Sequence, residues 1–311
     1  MKWNRKDVLH IENLTREEIE LIIQTAKPMK EILFRPIKKL PTFRGKSVIN
    51  LFYESSTRTR SSFETAAKVL GADTSSLAVA QSSMNKGETL YDTARTLQAM
   101  NPDLVVIRHA SSGAAQFLAQ TLKAGVINAG DGQHEHPTQA LLDLFTMREH
   151  LADLTGKKVL IVGDVLHSRV ARSNVYALTK MGAEVVLVGP PTLLPPEMRI
   201  LGVKMSYQLD LELPGADVVM ALRLQLERQQ AGLFPSLREY SQLYGLNRER
   251  LEKTGKNTLV MHPGPMNRGV EISSEVANSP NAVIEEQVTN GVAIRMALMY
   301  LLMGGNSNVV A

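Results

Sequence analysis

The chain has 311 residues, enough for two domains that each bury a core. It is 44% hydrophobic and 21% charged with a net charge of +4, a globular balance, and no Lys/Arg run marks a nucleic-acid face. It contains no cysteine, which excludes disulfides, thiolate catalysis and cysteine-ligated zinc.

The stretch 1–14 lacks an apolar signal region, so a cytoplasmic protein is expected. Thr15-Arg16-Glu17-Glu18 is a capping box before Ile19, Leu21, Ile22 and Ile23; it predicts a helix that Pro28 should bend or shorten. Val48, Ile49, Leu51, Phe52 and Tyr53 read as a buried strand. Phe63, Ala66, Ala67 and Leu70 then fall on one face of a helix, with Gly71 placed to cap it. A strand is expected over about 75–79, a polar loop over 81–89, and a helix ending near Met100. A short strand over 104–107 ends in Arg108-His109, and a helix over 113–124 leads to a strand at 126–128. His136-Pro137-Thr138-Gln139 opens a helix through about His150, with Pro137 suited to its first position.

A second series begins at Lys157, with strands expected over 184–188, 204–207, 217–221 and 258–261. The proline-rich stretch 189–196 reads as a loop, and a final helix spans about 285–303. That last stretch is apolar, but Asn290, Gly291 and Arg295 interrupt it, so no membrane span is expected. The alternation predicts an α/β fold of two domains, each a mostly parallel sheet flanked by helices, with the boundary near residue 150.

Ser55-Ser56-Thr57-Arg58-Thr59-Arg60 lies between the first strand and its helix. Free backbone N–H groups, hydroxyl donors and fixed positive charge meet there, and such a site suits a phosphate. Two arginines at a helix N-terminus oppose the dipole unless an anion compensates them. Later strands also end in polar groups: Arg108, His136 after Asp131, and Asp164. In open α/β sheets the ligand crevice lies at those ends. Val159 to Asp164 looks like the opening of a dinucleotide fold, but G-x-G-x-x-G is missing, and so is the P-loop pattern; a nucleotide-dependent dehydrogenase is therefore disfavoured.

Ser-Thr-Arg-Thr-Arg followed by Phe-Glu resembles the carbamoyl-phosphate signature of the aspartate/ornithine carbamoyltransferase family, and the likeness extends from about Thr15 to Leu302. It implies that Ser56, Thr57, Arg58, Thr59, Ser82, Lys86, Arg108, His136, Gln139, Gly264 and Pro265 bind carbamoyl phosphate. Of these, Arg58, Thr59, Lys86, Arg108 and His136 would be catalytic. His136 would donate to the carbonyl oxygen and Gln139 would hold the carbamoyl NH2. Residues 85–89, with Ser82 ahead, resemble the mobile loop that carries a lysine into the neighbouring subunit's site, so a homotrimer is implied.

Arg169 and Arg223 match the positions that grip the two carboxylates of aspartate, with Gln225 on its amino group and Lys86 contributing. Two guanidinium forks suit a dicarboxylate acceptor. The ornithine branch has a cysteine-containing segment and a Ser-Met-Gly loop, both missing here. His262-Pro263-Gly264-Pro265 resembles the aspartate branch, although Gly264 is often a larger residue. The resemblance implies domains 1–150, with helix 285–311 returning to it, and 151–284. It also implies closure of the domains, with Glu54 pairing with Arg169 and Arg228. The resemblance further implies carbamoyl phosphate and L-aspartate as substrates, with no cofactor, metal or covalent nucleophile required. A transcarbamoylase with another amine acceptor, such as ornithine, and a non-catalytic homologue remain as alternatives. Attachment of regulatory chains or a dihydroorotase is left open.

Overall fold

The computed structural model describes residues 2–78, 88–225, 236–255 and 257–304. They form two compact units, Met1–Leu142 with Thr289–Ala311, and Asp143–Val288.

In the first unit, helix α1 (Arg16–Ile32) starts as expected: Thr15 accepts from Glu18 N while the Glu18 carboxylate accepts from Thr15 N. The helix runs on through Pro28 to Ile32, so the proline does not shorten it. Buried Met29 and Ile32 hold the last turn, offsetting the one backbone bond that proline removes. Thr15→Ala removes the cap and should cost about 1 kcal/mol, read as a lower urea midpoint at unchanged slope.

Strands β1 (Ser47–Phe52), β2 (Asp73–Ala78), β3 (Leu104–His109) and β4 (Gly125–Asp131) form a parallel sheet in the order β2-β1-β3-β4. Helices α2 (Thr57–Val69), α3 (Leu90–Ala99) and α4 (Ala114–Thr121) connect them. Ile49, Leu51, Val105, Ile107 and Val126 pack with Ala94 and Leu97 of α3 and Ala115 and Leu118 of α4. Phe63, Ala66, Ala67 and Leu70 are buried as their spacing predicts, and Gly71 follows at φ +80°. Two covered faces explain why the central strands β1 and β3 are apolar almost throughout, whereas the edge strand β2 is mostly polar and exposed.

Helix α5 (Pro137–Leu151) passes from the first unit into the second. There β5 (Lys158–Val162), β6 (Glu184–Val188), β7 (Lys204–Ser206), β8 (Val218–Ala221) and β9 (Leu259–Met261) form a parallel sheet ordered β7-β6-β5-β8-β9. Its helices are α6 (Arg169–Lys180), α7 (Leu209–Glu212), α8 (Leu237–Tyr244), α9 (Arg248–Glu252) and α10 (Ser274–Ala277). Leu160, Val162, Val186, Val188, Val219 and Val260 share a core with Leu209, Tyr240, Tyr244 and Ile272.

The proline-rich stretch is not simply a loop. Pro191–Leu193 and Pro196–Leu201 are 3-10 helices, each starting on a proline whose fixed φ suits a first turn, and Gly202 at φ +76° ends the second.

Helix α11 (Ile284–Leu302) returns to the first unit from Thr289 onward. Arg295 Nη1 donates to Ser62 Oγ at 2.7 Å, and its guanidinium lies 4.9 Å from the Phe63 ring centre. Tyr300 meets Phe43 at a centroid distance of 5.9 Å. No described helix is long and apolar enough to cross a membrane.

Candidate active site

In the first unit the polar residues collect at the carboxyl edge of the sheet. β1 leads through residues 53–56 into α2, whose N-cap Ser56 makes no side-chain cap bond and whose first turn holds no acidic residue. Thr57 and Arg58 are exposed there, and Arg60 lies 3.9 Å from Glu64 one turn on. A helix mouth left uncapped and flanked by cations attracts an anion through its N–H groups and its dipole.

β3 lies beside β1, with Arg108 in register with Phe52, so its guanidinium emerges next to that mouth. Arg108 Nε donates to Glu54 Oε2 at 3.1 Å, and Nη1 donates to Ala129 O at 3.4 Å. The Glu54 carboxylate thus orients Arg108 within this unit. Burial lowers the pKa of neighbouring His109, which accepts from Ser111 N at 2.9 Å.

β4 is next, and its turn supports His136, which is buried. Asp131 organises the turn: Oδ2 accepts from Gly113 N at 2.7 Å, and Oδ1 accepts from Asn128 Nδ2 at 2.8 Å and Glu135 N at 3.2 Å. Burial raises its pKa, but these bonds and His134 outweigh that and hold the carboxyl below its usual range. Gln139 lies in the first turn of α5, its N–H donating to His136 O at 3.0 Å. Strand order therefore sets the α2 mouth, Arg108 and His136 on consecutive strand ends.

In the second unit Arg169 is buried at the start of α6, where Ser168 caps the helix through Ala171 N. Arg223 follows β8, the neighbour of β5, and is half-buried. Gln225 Nε2 donates to His167 O at 3.0 Å, which ties the loop after β8 to the loop after β5. Asn267 Nδ2 donates to Leu224 O at 3.3 Å, tying in the loop after β9. Gly264 has φ +65° and precedes a cis bond to Pro265, a left-handed conformation that glycine takes without cost from a Cβ.

Several residues that support these loops carry no local sequence signal. Glu271 Oε1 lies 3.2 Å from His262 Nε2 and accepts from Asn267 N at 2.6 Å, while His262 Nδ1 accepts from Gly264 N at 2.8 Å. Gln287 Oε1 accepts from His262 N at 3.0 Å, and its amide donates to Asp143 Oδ1 at 2.7 Å. Gly163 has φ +129°, and a Cβ there would lie 2.8 Å from Tyr240 Oη, so packing demands this glycine without any nucleotide. Ser82, Lys86 and Arg228 lie outside the described residues.

Residues 6–149 match the carbamoyl-P binding domain, and residues 155–302 the Asp/Orn binding domain, of the aspartate/ornithine carbamoyltransferases. The chain belongs to this family. A relative from Desulfitobacterium hafniense, an aspartate carbamoyltransferase catalytic subunit, is 76% identical over 99% of this chain and 98% of its own. Aspartate transcarbamoylase from Trypanosoma cruzi, solved with carbamoyl aspartate and phosphate, superposes with a TM-score of 0.87 at 30% identity, covering 97% of each chain. Ornithine carbamoyltransferase from Pyrococcus furiosus gives a TM-score of 0.85 at 30% identity, covering 98% of this chain and 99% of its own. The carbamoyltransferase fold is thus shared by both branches, and the acceptor must be argued from side chains.

Proposed function

We infer that this chain transfers the carbamoyl group of carbamoyl phosphate to the amino group of L-aspartate, giving N-carbamoyl-L-aspartate and phosphate, an early step of pyrimidine synthesis. The carrying observation is the pair formed by Arg169, which opens α6 after β5, and Arg223, which follows the adjacent strand β8, in a chain 76% identical to an aspartate carbamoyltransferase catalytic subunit. Two guanidiniums complement two carboxylates.

The aspartate amine attacks the carbamoyl carbon, the carbonyl oxygen gains negative charge, and the bond to phosphate oxygen breaks. Ser56, Thr57, Arg58 and Thr59 hold the phosphate and, with Lys86, neutralise it as it departs; Ser82 joins this set by family likeness. Thr59, Arg108 and His136 donate to the developing oxyanion, and each such donor is worth about 3–4 kcal/mol. Gln139 and the carbonyls of Gly264 and Pro265 receive the carbamoyl NH2, and Gln225 the acceptor amine. Positioning and charge stabilisation carry the rate without a covalent intermediate.

Because Glu54 holds Arg108 at 3.1 Å, Glu54→Gln should lower kcat by about tenfold, the loss of one charge-assisted bond. An unchanged kcat in steady-state assays would remove Glu54 from the reaction. Its further role in closure with Arg169 and Arg228 rests on family likeness.

The same reading makes the protein a cytoplasmic homotrimer in which Ser82 and Lys86 serve a neighbouring subunit's site. Both substrates are charged metabolites that do not cross membranes unaided, which supports the compartment. Native mass measures the assembly. Mixing Lys86→Ala chains with Arg58→Ala chains should restore part of the activity if sites are shared.

A second reading, transfer to ornithine, is supported by the Pyrococcus furiosus structure. Its cationic side chain would meet Arg169 and Arg223 with like charge. Carbamoyl-phosphate-dependent product formation with aspartate and none with ornithine is the expected assay result; the reverse overturns the assignment.

A further inference from the structure

Outside the residues assigned to the reaction, His10, His134 and Glu135 each bring one ligand atom to within 4.8 Å of the others. His10 belongs to an N-terminal segment stitched to β4. Val8 N donates to Val126 O, Asn128 N to Val8 O, and Asn128 Nδ2 to Leu9 O, all at 2.9 Å. His134 and Glu135 lie in the turn between β4 and α5. The fully buried Glu135 carboxylate accepts from Ile11 N at 2.8 Å and from Glu12 N at 3.2 Å, so the two segments meet at its oxygens. We propose that His10, His134 and Glu135 bind a divalent transition-metal ion of the zinc type, which clamps the N-terminal segment to the turn that carries His136.

The donor set suits the ion: two imidazoles and one carboxylate is a common zinc complement, with an open position for water. Tetrahedral bonds of about 2.0–2.2 Å place ligand atoms roughly 3.4 Å apart. The ligand atoms, within 4.8 Å of one another, would draw in toward that value on binding, around a Glu135 carboxylate already held by two backbone N–H groups. Each ring is also ordered from behind. His134 Nδ1 lies 3.1 Å from Oδ2 of buried Asp131, the carboxylate–histidine arrangement that fixes a tautomer for metal ligation. His10 Nε2 meets Gln116 Oε1 at 3.1 Å. The two rings pack edge-on with centroids 5.0 Å apart, which keeps them beside the same carboxylate. Asp131 and Glu135 together complement a doubly charged ion.

The test uses the purified full chain, stripped with a chelator and titrated with Zn2+ by calorimetry. One ion per chain is expected from this site. The melting temperature should rise by about 5 °C at a hundredfold excess over the dissociation constant. Exchange of the Ile11 and Glu12 amide hydrogens should slow. His10→Gln and His134→Gln should each weaken binding at least about tenfold. Without metal both variants should melt and transfer carbamoyl like the parent, since neither residue touches a substrate. Co2+ should give the visible absorption of a four-coordinate site in the parent and lose it in both variants. Should a variant melt early, the cobalt spectrum taken below its melting point still decides. No stoichiometric binding, or binding unaffected by both substitutions, overturns the proposal whatever the acceptor proves to be.

Discussion

Arg58→Ala should lower kcat about a thousandfold, near 4 kcal/mol of lost transition-state stabilisation, while the affinity for carbamoyl phosphate falls less than tenfold. Arg58 lies in the first turn of α2, a helix mouth with no acidic residue and no side-chain cap bond from Ser56. The N–H groups of that turn and the hydroxyls of Ser56, Thr57 and Thr59 can still receive the ground-state phosphate when the guanidinium is gone. On the proposed role, what disappears is the fixed charge that meets the phosphate as the C–O bond breaks and negative charge concentrates on it. An interaction that strengthens only in the transition state lowers kcat when removed. Arg58 is exposed, so the variant should melt with the parent. Stopped or steady-state turnover within tenfold of the parent would refute the role.

Arg223→Ala should raise KM for aspartate about a hundredfold or more, the cost of leaving a desolvated carboxylate without its charged partner. Binding of carbamoyl phosphate, measured separately by calorimetry, should not change. Arg223→Lys restores charge but not the planar fork, and should recover only part of the loss. The choice of Arg223 over an exposed arginine rests on its place: it is half-buried after β8, in a loop held to its neighbours through Gln225 to His167 O and Asn267 to Leu224 O. A KM within threefold of the parent would take Arg223 out of the acceptor site.

The alternation of strand and helix was legible because apolar runs and helical spacing are local. Phe63, Ala66, Ala67 and Leu70 needed no knowledge of what they would pack against. Pro28 does not shorten its helix for the opposite reason: the local cost of a proline is visible in sequence, while the burial of Met29 and Ile32 that offsets it is not. The proline-rich stretch 189–196 reads as a loop from sequence, yet a proline at a first helical position favours the short turns that Pro191 and Pro196 begin.

Glu54, Glu271 and Gln287 mark the limit most clearly. Glu271 supports His262 and Asn267, and Gln287 reaches Asp143 across nearly half of the chain. Residue type alone says nothing of such partners. The same holds for His10 with His134 and Glu135, which no metal-ligand spacing connects.

By itself, then, the amino-acid order determined which segments become strands and helices, where each strand ends in a polar group, and which residue types await an anion and a diacid. Those properties depend on neighbours a few residues away. The tertiary structure alone decided that the α2 mouth, Arg108 and His136 occupy consecutive strand ends, that Glu54 orients Arg108, and that Glu135 gathers the N-terminal segment. Parallel pairing joins residues remote in sequence, and register and strand order are fixed by packing two covered faces at once.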